Sequence, residues 1–393
     1  MPDMPPPCPD PEVAVVGGGP VGMTLAARLA QGGVRVTVLE REATPYALPR
    51  AAHLDADALR VLDLVGIGDA VRAHGRPIDG FDLADRHGRI LLQARDPDGA
   101  GRLIHQPTVE ALLRDRLAGL GVDFRQGWAV ERLDDDEPGV TLHGTAPDGP
   151  FALRAGWVVG CDGAQSSIRD AMGSPFAPTV RGGFAQTWLV VDVRLRKPLA
   201  LPDRLRQTAD PRAPTTYVPF PGDRRRWEFR LPPGTDAEAA LRPDAIRRRL
   251  ADEVEPDGVE IERAAVYTFE ARAAVGWRRR HVLLAGDAAH VMPPFLGQGL
   301  GAGLRDAWWL GRHLPGVVRG QTSAAGLDAY EAERRPQVVA TTRVAVQIGR
   351  LVTLPAPLSA VRDAVLRGAA RGLGRTVQVS RRLPSTPGLT PGP

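Results

Sequence analysis

The sequence is short of cysteine, of aromatic residues and of long apolar runs. It contains 2 cysteines among 393 residues. Cys8 and Cys161 lie far apart and have no metal-ligand spacing, so we expect no metal site and a reducing compartment. No uninterrupted apolar run approaches the ~20 residues that span a bilayer. Residues 1–12 carry acids and prolines in place of an apolar core, so we expect no secretory signal and a cytoplasmic location.

Charge of one sign is not in excess either. Lysine and arginine together number 50 and aspartate and glutamate 46, which gives a formal net charge of +4. The arginine clusters at 224–226, 247–249 and 278–280 are short and have no interleaved aromatic residues, so they are typical of solvated surfaces. We therefore expect neither nucleic-acid nor membrane binding. The hydrophobic content of 43% is ordinary for a globular chain, and the length allows two or three domains.

What the sequence does have is a strand–turn–helix–strand pattern at residues 13–40. Its turn carries Gly17, Gly19 and Gly22 in the spacing G-x-G-x-x-G. In such units the glycines allow a tight turn, the approach of the backbone to a pyrophosphate, and the packing of helix on strand. Glu40 ends the unit and could accept hydrogen bonds from a ribose. The pattern predicts a dinucleotide site, and its alternative is a glycine-rich turn without a ligand.

A second motif follows an apolar strand at 157–161. The strand leads into Asp162-Gly163, and a short helix then begins with Ser166 or Ser167 as its cap and Arg169 in its first turns. Taken alone, this pattern is better interpreted as an ordinary strand–turn–helix connection in which the aspartate forms a local turn.

A third motif occupies residues 281–314. A buried strand leads into Gly286-Asp287, and a proline-containing turn with His290 precedes a glycine-rich helix start. A helix N-terminus stabilises negative charge on a bound group. The glycines at this start are Gly297, Gly299, Gly301 and Gly303.

Residues 174–280 differ from the rest, with many short strand-like runs and one charged helix at 243–254. We expect an α/β fold: a Rossmann-like domain with an inserted, mostly antiparallel α+β domain for substrate recognition and a C-terminal helical segment. The expected division is a disordered tail at 1–11, the nucleotide domain at 12–173 and 281–315, the insertion at 174–280 with a share of 75–105, helices at 316–375 and a Pro/Gly-rich tail at 376–393. A hairpin is expected at 78–95, and Pro336 is expected to interrupt a helix at 326–350.

In this order the three motifs resemble those of the single-component flavoprotein aromatic hydroxylases, the p-hydroxybenzoate hydroxylase superfamily. The resemblance covers residues from about 12 to 350. Within the superfamily the chain is most similar to the hydroxyphenylpropionate hydroxylase branch and its natural-product relatives. The finer match is carried by YALPRAAHLDADALRVL (46–62), IHQP (104–107), WLVVDVRL (188–195), YVPFPGDRRRWEFRLPPG (217–234), MPPFLGQGLGAGLRDA (292–307) and LDAYEAERRPQV (327–338).

The resemblance implies an FAD cofactor and assigns residues to it. The pyrophosphate would contact Gly17, Gly19, Pro20, Val21 and Gly22, and the adenosine part would contact Glu40, Arg41 and the backbone of Val130. The middle of the cofactor would contact Arg50 and Gln106, the ribityl chain Asp287, and the flavin end Pro294, Gly299, Leu300 and Gly301. Asp162 and Arg169 would order the loop beside the pyrophosphate and a transient nicotinamide site.

This sequence departs from the family pattern in two ways. Family members often carry Asn or Cys where Gly301 stands, so only the main chain could make that contact here. Many members of the branch continue into a thioredoxin-like domain, whereas residues 376–393 are rich in proline and glycine. The expected assembly therefore stays open between a monomer and a homodimer.

The resemblance also implies a reaction. NADPH or NADH would reduce the FAD, O₂ would form a flavin hydroperoxide, and one oxygen atom would enter a small aromatic, phenolic substrate. Because no second dinucleotide unit follows the first, the reductant is expected to visit the protein transiently. A base near the ring would favour the phenolate, and the candidates are His53, Tyr217 and His290, each of which could instead serve packing or a loop hydrogen bond. The alternatives are epoxidation, oxidative decarboxylation or Baeyer–Villiger oxidation by the same flavin chemistry, and a non-catalytic flavin-bound protein.

Overall fold

The structure is a computed structural model that describes residues 10–45, 51–95, 101–373 and 376–378. Arg50 and most of the two predicted tails, 1–9 and 379–393, lie outside the described residues.

The described strands, in chain order, are β1 (Val13–Val16), β2 (Val36–Glu40), β3 (Ala51–Leu54), β4 (Arg76–Ile78), β5 (Gly80–Ala84), β6 (Ile90–Arg95), β7 (Gly101–His105), β8 (Asp123–Gln126), β9 (Ala129–Asp136), β10 (Gly139–Ala146), β11 (Gly149–Ala155), β12 (Trp157–Gly160), β13 (Phe176–Pro178), β14 (Ala185–Leu195), β15 (Leu205–Thr208), β16 (Thr215–Pro219), β17 (Arg224–Arg230), β18 (Val259–Glu270), β19 (Arg272–Ala274), β20 (Arg278–Arg279), β21 (Val282–Leu284), β22 (His290–Val291) and β23 (Thr376–Gln378).

The described α-helices are α1 (Pro20–Gln31), α2 (Ala56–Val65), α3 (Gly68–His74), α4 (Gln106–Gly119), α5 (Ser167–Ala171), α6 (Ala237–Leu241), α7 (Pro243–Ala251), α8 (Gly299–Val318), α9 (Ala329–Val352) and α10 (Leu358–Leu373). Short 3₁₀ turns lie at Pro256–Gly258, Gly286–Ala288, Pro294–Leu296 and Ala324–Asp328.

The first sheet has six strands in the order β20-β21-β12-β1-β2-β8. All neighbours in it are parallel except β20, which runs antiparallel to β21. Strands β1, β12 and β21 are buried along their whole length, as expected for parallel strands covered on both faces. Helices α1 and α8 pack against each other beside this sheet. Because β21, β12 and β1 are parallel neighbours, the loops that follow them meet at one edge.

The largest sheet has eight strands in the order β18-β14-β17-β16-β15-β5-β6-β23. The predicted hairpin is present as β5 and β6, and it joins this sheet through a parallel pairing of β5 with β15. Apolar residues on one face of the sheet, among them Leu189 and Trp227, form a core with residues of α6 and α7 such as Ile246. The opposite face carries buried polar and charged side chains, which shows that it borders a site and not a second apolar core.

The predicted α/β fold class is confirmed, and two local predictions are wrong. Helix α9 continues through Pro336, because residues on either side of it are held in the interior: Arg334 and Val338 are both buried. A proline removes one backbone hydrogen bond of a helix, and tertiary packing can offset that loss. Residues 376–378, predicted as part of a tail, form β23 and pair in parallel with β6.

Among the described residues, no helix combines the length and the apolar character that a membrane crossing requires.

Candidate active site

A cavity of about 960 Å³ lies between the carboxyl edge of the six-stranded sheet and the polar face of the eight-stranded sheet. All three sequence motifs contribute to its wall. The predicted site residues that line it are Gly19, Pro20, Val21, Arg41, His53, Gln106, Asp162, Asp287, Pro294, Gly299 and Leu300. The volume is within the range of cofactor and ligand pockets.

The glycines of the first turn have different structural roles. A Cβ atom on Gly22 would lie 2.1 Å from the carbonyl oxygen of Gly17, and one on Gly17 would lie 2.4 Å from that of Cys161. These two glycines therefore allow helix α1 and the loop after β12 to approach β1. A Cβ on Gly19 would meet nothing within 4 Å. Gly19 is the N-cap of α1 and makes no side-chain cap, so its surroundings are open for a ligand at the helix N-terminus.

Glu40 holds the same turn. Its Oε2 atom accepts a hydrogen bond of 2.7 Å from the amide of Gly18, and its Oε1 atom accepts one of 2.8 Å from the amide of Glu42. The carboxylate thus lies at the end of β2 beside the glycine turn, but it is outside the cavity wall. Neighbouring Arg41 lines the cavity.

Asp162 caps helix α5 as well as lining the cavity. It accepts hydrogen bonds from the hydroxyl of Ser167 at 3.2 Å and from the amide of Ile168 at 3.3 Å, and Ser166 is the N-cap. Burial raises the pKa of the Asp162 carboxyl, although these hydrogen bonds oppose the rise. Arg169 is turned away from the cavity: its guanidinium donates to the carbonyl of Ala164 at 2.8 Å. It therefore orders the loop at 163–165.

Asp287 is exposed to the cavity on the 3₁₀ turn that follows β21. The N-terminus of α8 lies close in sequence and contributes Gly299 and Leu300 to the wall, and its N-cap, Gln298, makes no side-chain cap. Two helix N-termini, those of α1 and α8, therefore border one cavity, which suits an elongated ligand with negative charge.

Gly301 does not face the cavity. A Cβ atom on Gly301 would lie 3.1 Å from Arg305, so Gly301 faces the ion pair that Arg305 forms with Asp55.

A buried charge network binds the turn at Gly286-Asp287 through the backbone amide of Gly286. Asp306 of α8 accepts hydrogen bonds from the amide of Gly286 at 3.1 Å, from Nε2 of His290 at 2.6 Å and from Nε of Arg334 at 2.9 Å. Burial alone would raise the pKa of the Asp306 carboxyl, but His290 and Arg334 outweigh it and hold the pKa below its usual range. Sequence reasoning missed this residue, although an aspartate among the apolar residues of α8 was a usable signal.

The structure separates the three predicted bases. His53 lines the cavity next to Gly297. His290 is 1% exposed, outside the cavity wall and engaged with Asp306. Tyr217 lies on the opposite face of the eight-stranded sheet, packed against Trp227, because side chains alternate along β16 and its neighbours Thr216 and Val218 take the cavity side. Burial also raises the pKa of Tyr217. Neither Tyr217 nor His290 is therefore placed to act on a ligand in this cavity.

Sequence reasoning also missed a group of charged residues, here called the charge cluster: Arg226, Glu228 and Arg263, which line the cavity, and Asp192, which pairs with the two arginines. Arg226 binds Asp192 through two hydrogen bonds of 2.7 and 3.0 Å, and Arg263 lies 3.3 Å from the same carboxylate. Burial raises the pKa of the Glu228 carboxyl, although the nearby Arg226 guanidinium opposes the rise. Charges at alternate positions of a strand, Arg226 and Glu228, could have indicated a polar sheet face.

Comparison with known proteins identifies the family. A model of the family described as the FAD binding domain matches residues 10–345. The chain belongs to this FAD-binding family. The cofactor is therefore FAD, and the open glycine turn, the two helix N-termini and Asp287 form a cavity that fits a dinucleotide.

Two curated proteins are similar over most of the chain. A 3-(3-hydroxy-phenyl)propionate/3-hydroxycinnamic acid hydroxylase of Mycolicibacterium smegmatis is 36% identical over 370 residues, which is 91% of this chain and 64% of that protein. A probable NADH-specific resorcinol 4-hydroxylase of Rhodococcus jostii is 36% identical over 371 residues, 92% of this chain and 69% of that protein. The chain thus spans about two-thirds of the length of these two relatives.

Among solved structures, p-nitrophenol 4-monooxygenase from Pseudomonas putida superposes with a TM-score of 0.85 at 28% sequence identity. The match covers 93% of this chain and 95% of that one.

The two glycine environments predict different effects of the same substitution. Gly22→Ala should destabilise the protein by about 2–3 kcal/mol, because the new methyl group meets a backbone oxygen. Gly19→Ala should fold with near-native stability yet weaken FAD binding by roughly tenfold or more, because its methyl group enters the cavity. Urea unfolding of the apoprotein and quenching of FAD fluorescence measure the two effects. Native FAD affinity in Gly19→Ala would show that the pyrophosphate does not pass over Gly19.

The Asp306 network predicts a pH-dependent stability effect. Asp306→Asn should cost about 3 kcal/mol at neutral pH, because it leaves a buried charge without its partner. The stabilisation by Asp306 is present above the unfolded pKa of about 3.9 and is lost as the pH falls through the lower folded value, so the difference from wild type should shrink there.

Urea unfolding at several pH values measures this difference. The control is Asp69→Asn, which removes an exposed carboxylate 3.3 Å from Arg72 and should have little effect. Equal effects of the two substitutions would contradict the role given to the network.

Proposed function

We propose that the protein is an FAD-dependent, NAD(P)H-consuming monooxygenase that inserts one oxygen atom from O₂ into a small phenolic substrate. The observation that carries the proposal is the shared cavity. One end is bordered by the glycine turn, Asp287 and two helix N-termini, and the other by a sheet face that combines apolar and hydrogen-bonding side chains. The similar proteins named above are a hydroxyphenylpropionate hydroxylase, a probable resorcinol hydroxylase and a nitrophenol monooxygenase.

The cofactor would lie along the carboxyl edge of the six-stranded sheet. The pyrophosphate would lie over Gly19, Pro20 and Val21 at the α1 N-terminus, where backbone amides and the helix dipole favour negative charge. Gln106 and Asp287 would hold the polar chain between the two ends of the cofactor. The α8 N-terminus at Gly299 and Leu300 would face the flavin ring and stabilise negative charge on it. Arg41 would border the adenosine end.

The substrate would lie between the α8 N-terminus and the eight-stranded sheet, beside His53. The apolar side chains that line this part of the cavity are Val190, Leu205, Val218, Phe269, Met292 and Leu296. They suit an aromatic ring and limit the access of water. When bound, FAD supplies the activation of O₂ and the transfer of oxygen, while these protein residues position the ring and adjust its hydrogen bonding.

Turnover of phenols in the presence of NADH tests the proposal. FAD-saturated protein is mixed with NADH or NADPH and a panel of phenols, and the products are weighed by mass spectrometry. We expect at least one phenol both to accelerate NADH oxidation and to gain one oxygen atom. A panel in which every phenol leaves oxidation unchanged and no product gains oxygen would contradict the proposal.

The position of His53 predicts its contribution to this reaction. His53→Ala should lower the fraction of NADH oxidation that yields hydroxylated product more than it lowers FAD content, because it removes a polar group from the substrate end of the cavity. The measurement is the ratio of product formed to NADH consumed, with hydrogen peroxide quantified in parallel.

His87→Ala is the matched control, because His87 lies exposed in the turn between β5 and β6. It should leave the ratio at the wild-type value. An unchanged ratio in His53→Ala would remove His53 from the proposed machinery.

A further inference from the structure

The polar side chains of the substrate end form one row across the eight-stranded sheet. Glu228 on β17 lies directly opposite Val190 on β14 and Thr216 on β16, and Thr216 lies opposite Gln207 on β15. All of these residues line the cavity. Since directly opposite side chains on one sheet face are neighbours, the row presents a carboxyl, a hydroxyl and an amide group side by side.

Glu228 is the member of the row whose hydrogen bonding is incomplete. Its side chain is 10% exposed, and the guanidinium of Arg226 lies 3.9 Å away, which is beyond hydrogen-bond distance. Within the described ranges no side chain or amide donates a hydrogen bond to this carboxyl group. Thr216 donates to Gln207 instead, at 3.2 Å. A buried carboxyl group strongly favours a donor, and the cavity is the open direction from which a donor can come.

The arginines of the charge cluster are already engaged. Asp192 takes two hydrogen bonds from Arg226 and one from Arg263, and Arg263 also donates to the hydroxyl of Tyr267. With Glu228 ionised, the cluster contains two positive and two negative groups. A substrate carboxylate at this wall would approach Glu228, a like charge in a poorly solvated place, which is costly. An uncharged hydroxyl group would instead complete the hydrogen bonding of Glu228.

We propose that Glu228 accepts a hydrogen bond from the hydroxyl group of the substrate and thereby selects uncharged phenols over phenols that carry a carboxylate. Thr216 and Gln207 continue the row and bind a second hydroxyl or carbonyl group of the same molecule. This inference rests on the proposed function, because it assigns the substrate class of that cavity. A hydrogen bond to a carboxylate also increases electron density on a phenol ring, which favours attack by an electrophilic oxygen.

The test compares two ligands that share one ring: 3-hydroxyphenylpropionate and its primary amide. Their dissociation constants are measured on the FAD-loaded protein at pH 7.5, from the change that each ligand causes in the visible flavin spectrum. Wild type should bind the amide at least tenfold more tightly than the acid, since hydrogen bonds to an ionised acceptor are strong and like charges repel. Binding of the acid as tightly as the amide would overturn the inference.

Two variants assign the preference to one side chain. Glu228→Gln keeps the size of the residue and removes the charge. The ratio of the dissociation constant of the acid to that of the amide should therefore fall from tenfold to threefold or less. Glu260→Gln, an exposed position on β18 of the same sheet, is the matched control and should keep the wild-type ratio. A Glu228→Gln protein that binds FAD and retains the full ratio would overturn the inference.

A third ligand tests the hydrogen bond without any variant. The O-methyl ether of the amide lacks the phenolic donor and should bind wild type at least tenfold more weakly than the amide. Equal binding would overturn the role of Glu228, even if Glu228→Gln failed to fold. Mass spectrometry of the same mixtures separates this inference from the proposed function. Selective binding of the amide supports recognition by Glu228 even if the amide gains no oxygen, and the proposed function is contradicted only if no phenol of the panel gains oxygen. Oxygen insertion into the acid and the amide with equal affinities contradicts only the selection by Glu228.

Discussion

The parallel pairing of β21, β12 and β1 is the constraint on which the rest of the site depends. Parallel neighbours end at the same edge of a sheet, so the glycine turn, Asp162 and Asp287 are brought together although they are far apart in sequence. Each strand is a short apolar run that is buried on both faces, and this burial fixes their order and register. The cavity is therefore a consequence of the sheet, and the loops only complete it.

The second constraint is the alternation of side chains in the eight-stranded sheet. One face packs against α6 and α7 and is apolar, and the other carries Glu228, Thr216 and Gln207 into the cavity. Burial of charge is costly unless the charges are paired, and the pairing of Asp192 with Arg226 and Arg263 meets that requirement. Among the described residues Glu228 differs from these three, since its charged neighbour Arg226 lies beyond hydrogen-bond distance, at 3.9 Å. In the proposed function the six-stranded sheet would hold the cofactor and the eight-stranded sheet would select the substrate.

Much of the fold and of the cofactor end could be predicted, because it depends on local patterns. The spacing of Gly17, Gly19 and Gly22 between two apolar runs predicts a strand–turn–helix unit, and a strand that ends in Gly286-Asp287 predicts a carboxylate at a sheet edge. The sequence also contains the strands of the second sheet, so the α/β class with an antiparallel second sheet could be predicted as well. The residue assignments to FAD stay predictions, and Arg50 lies outside the described residues.

The substrate end could not be predicted, because it depends on register and on long-range contacts. Which face of β16 meets the cavity is set by pairing with β15 and β17, and a shift of one residue would exchange Tyr217 for Thr216. His290 looked available for catalysis, but its partner Asp306 is on another element. Pro336 looked like a helix end, but the buried side chains around it keep α9 continuous. In each case tertiary packing overrides a local pattern.

The proposed function requires that oxygen insertion takes place in this cavity. The decisive measurement is the mass of the product formed from an uncharged phenol by FAD-saturated protein and NADH under ¹⁸O₂. The proposed function predicts a product that carries one ¹⁸O atom. A product without label, or consumption of NADH that yields only hydrogen peroxide with every phenol supplied, would contradict it.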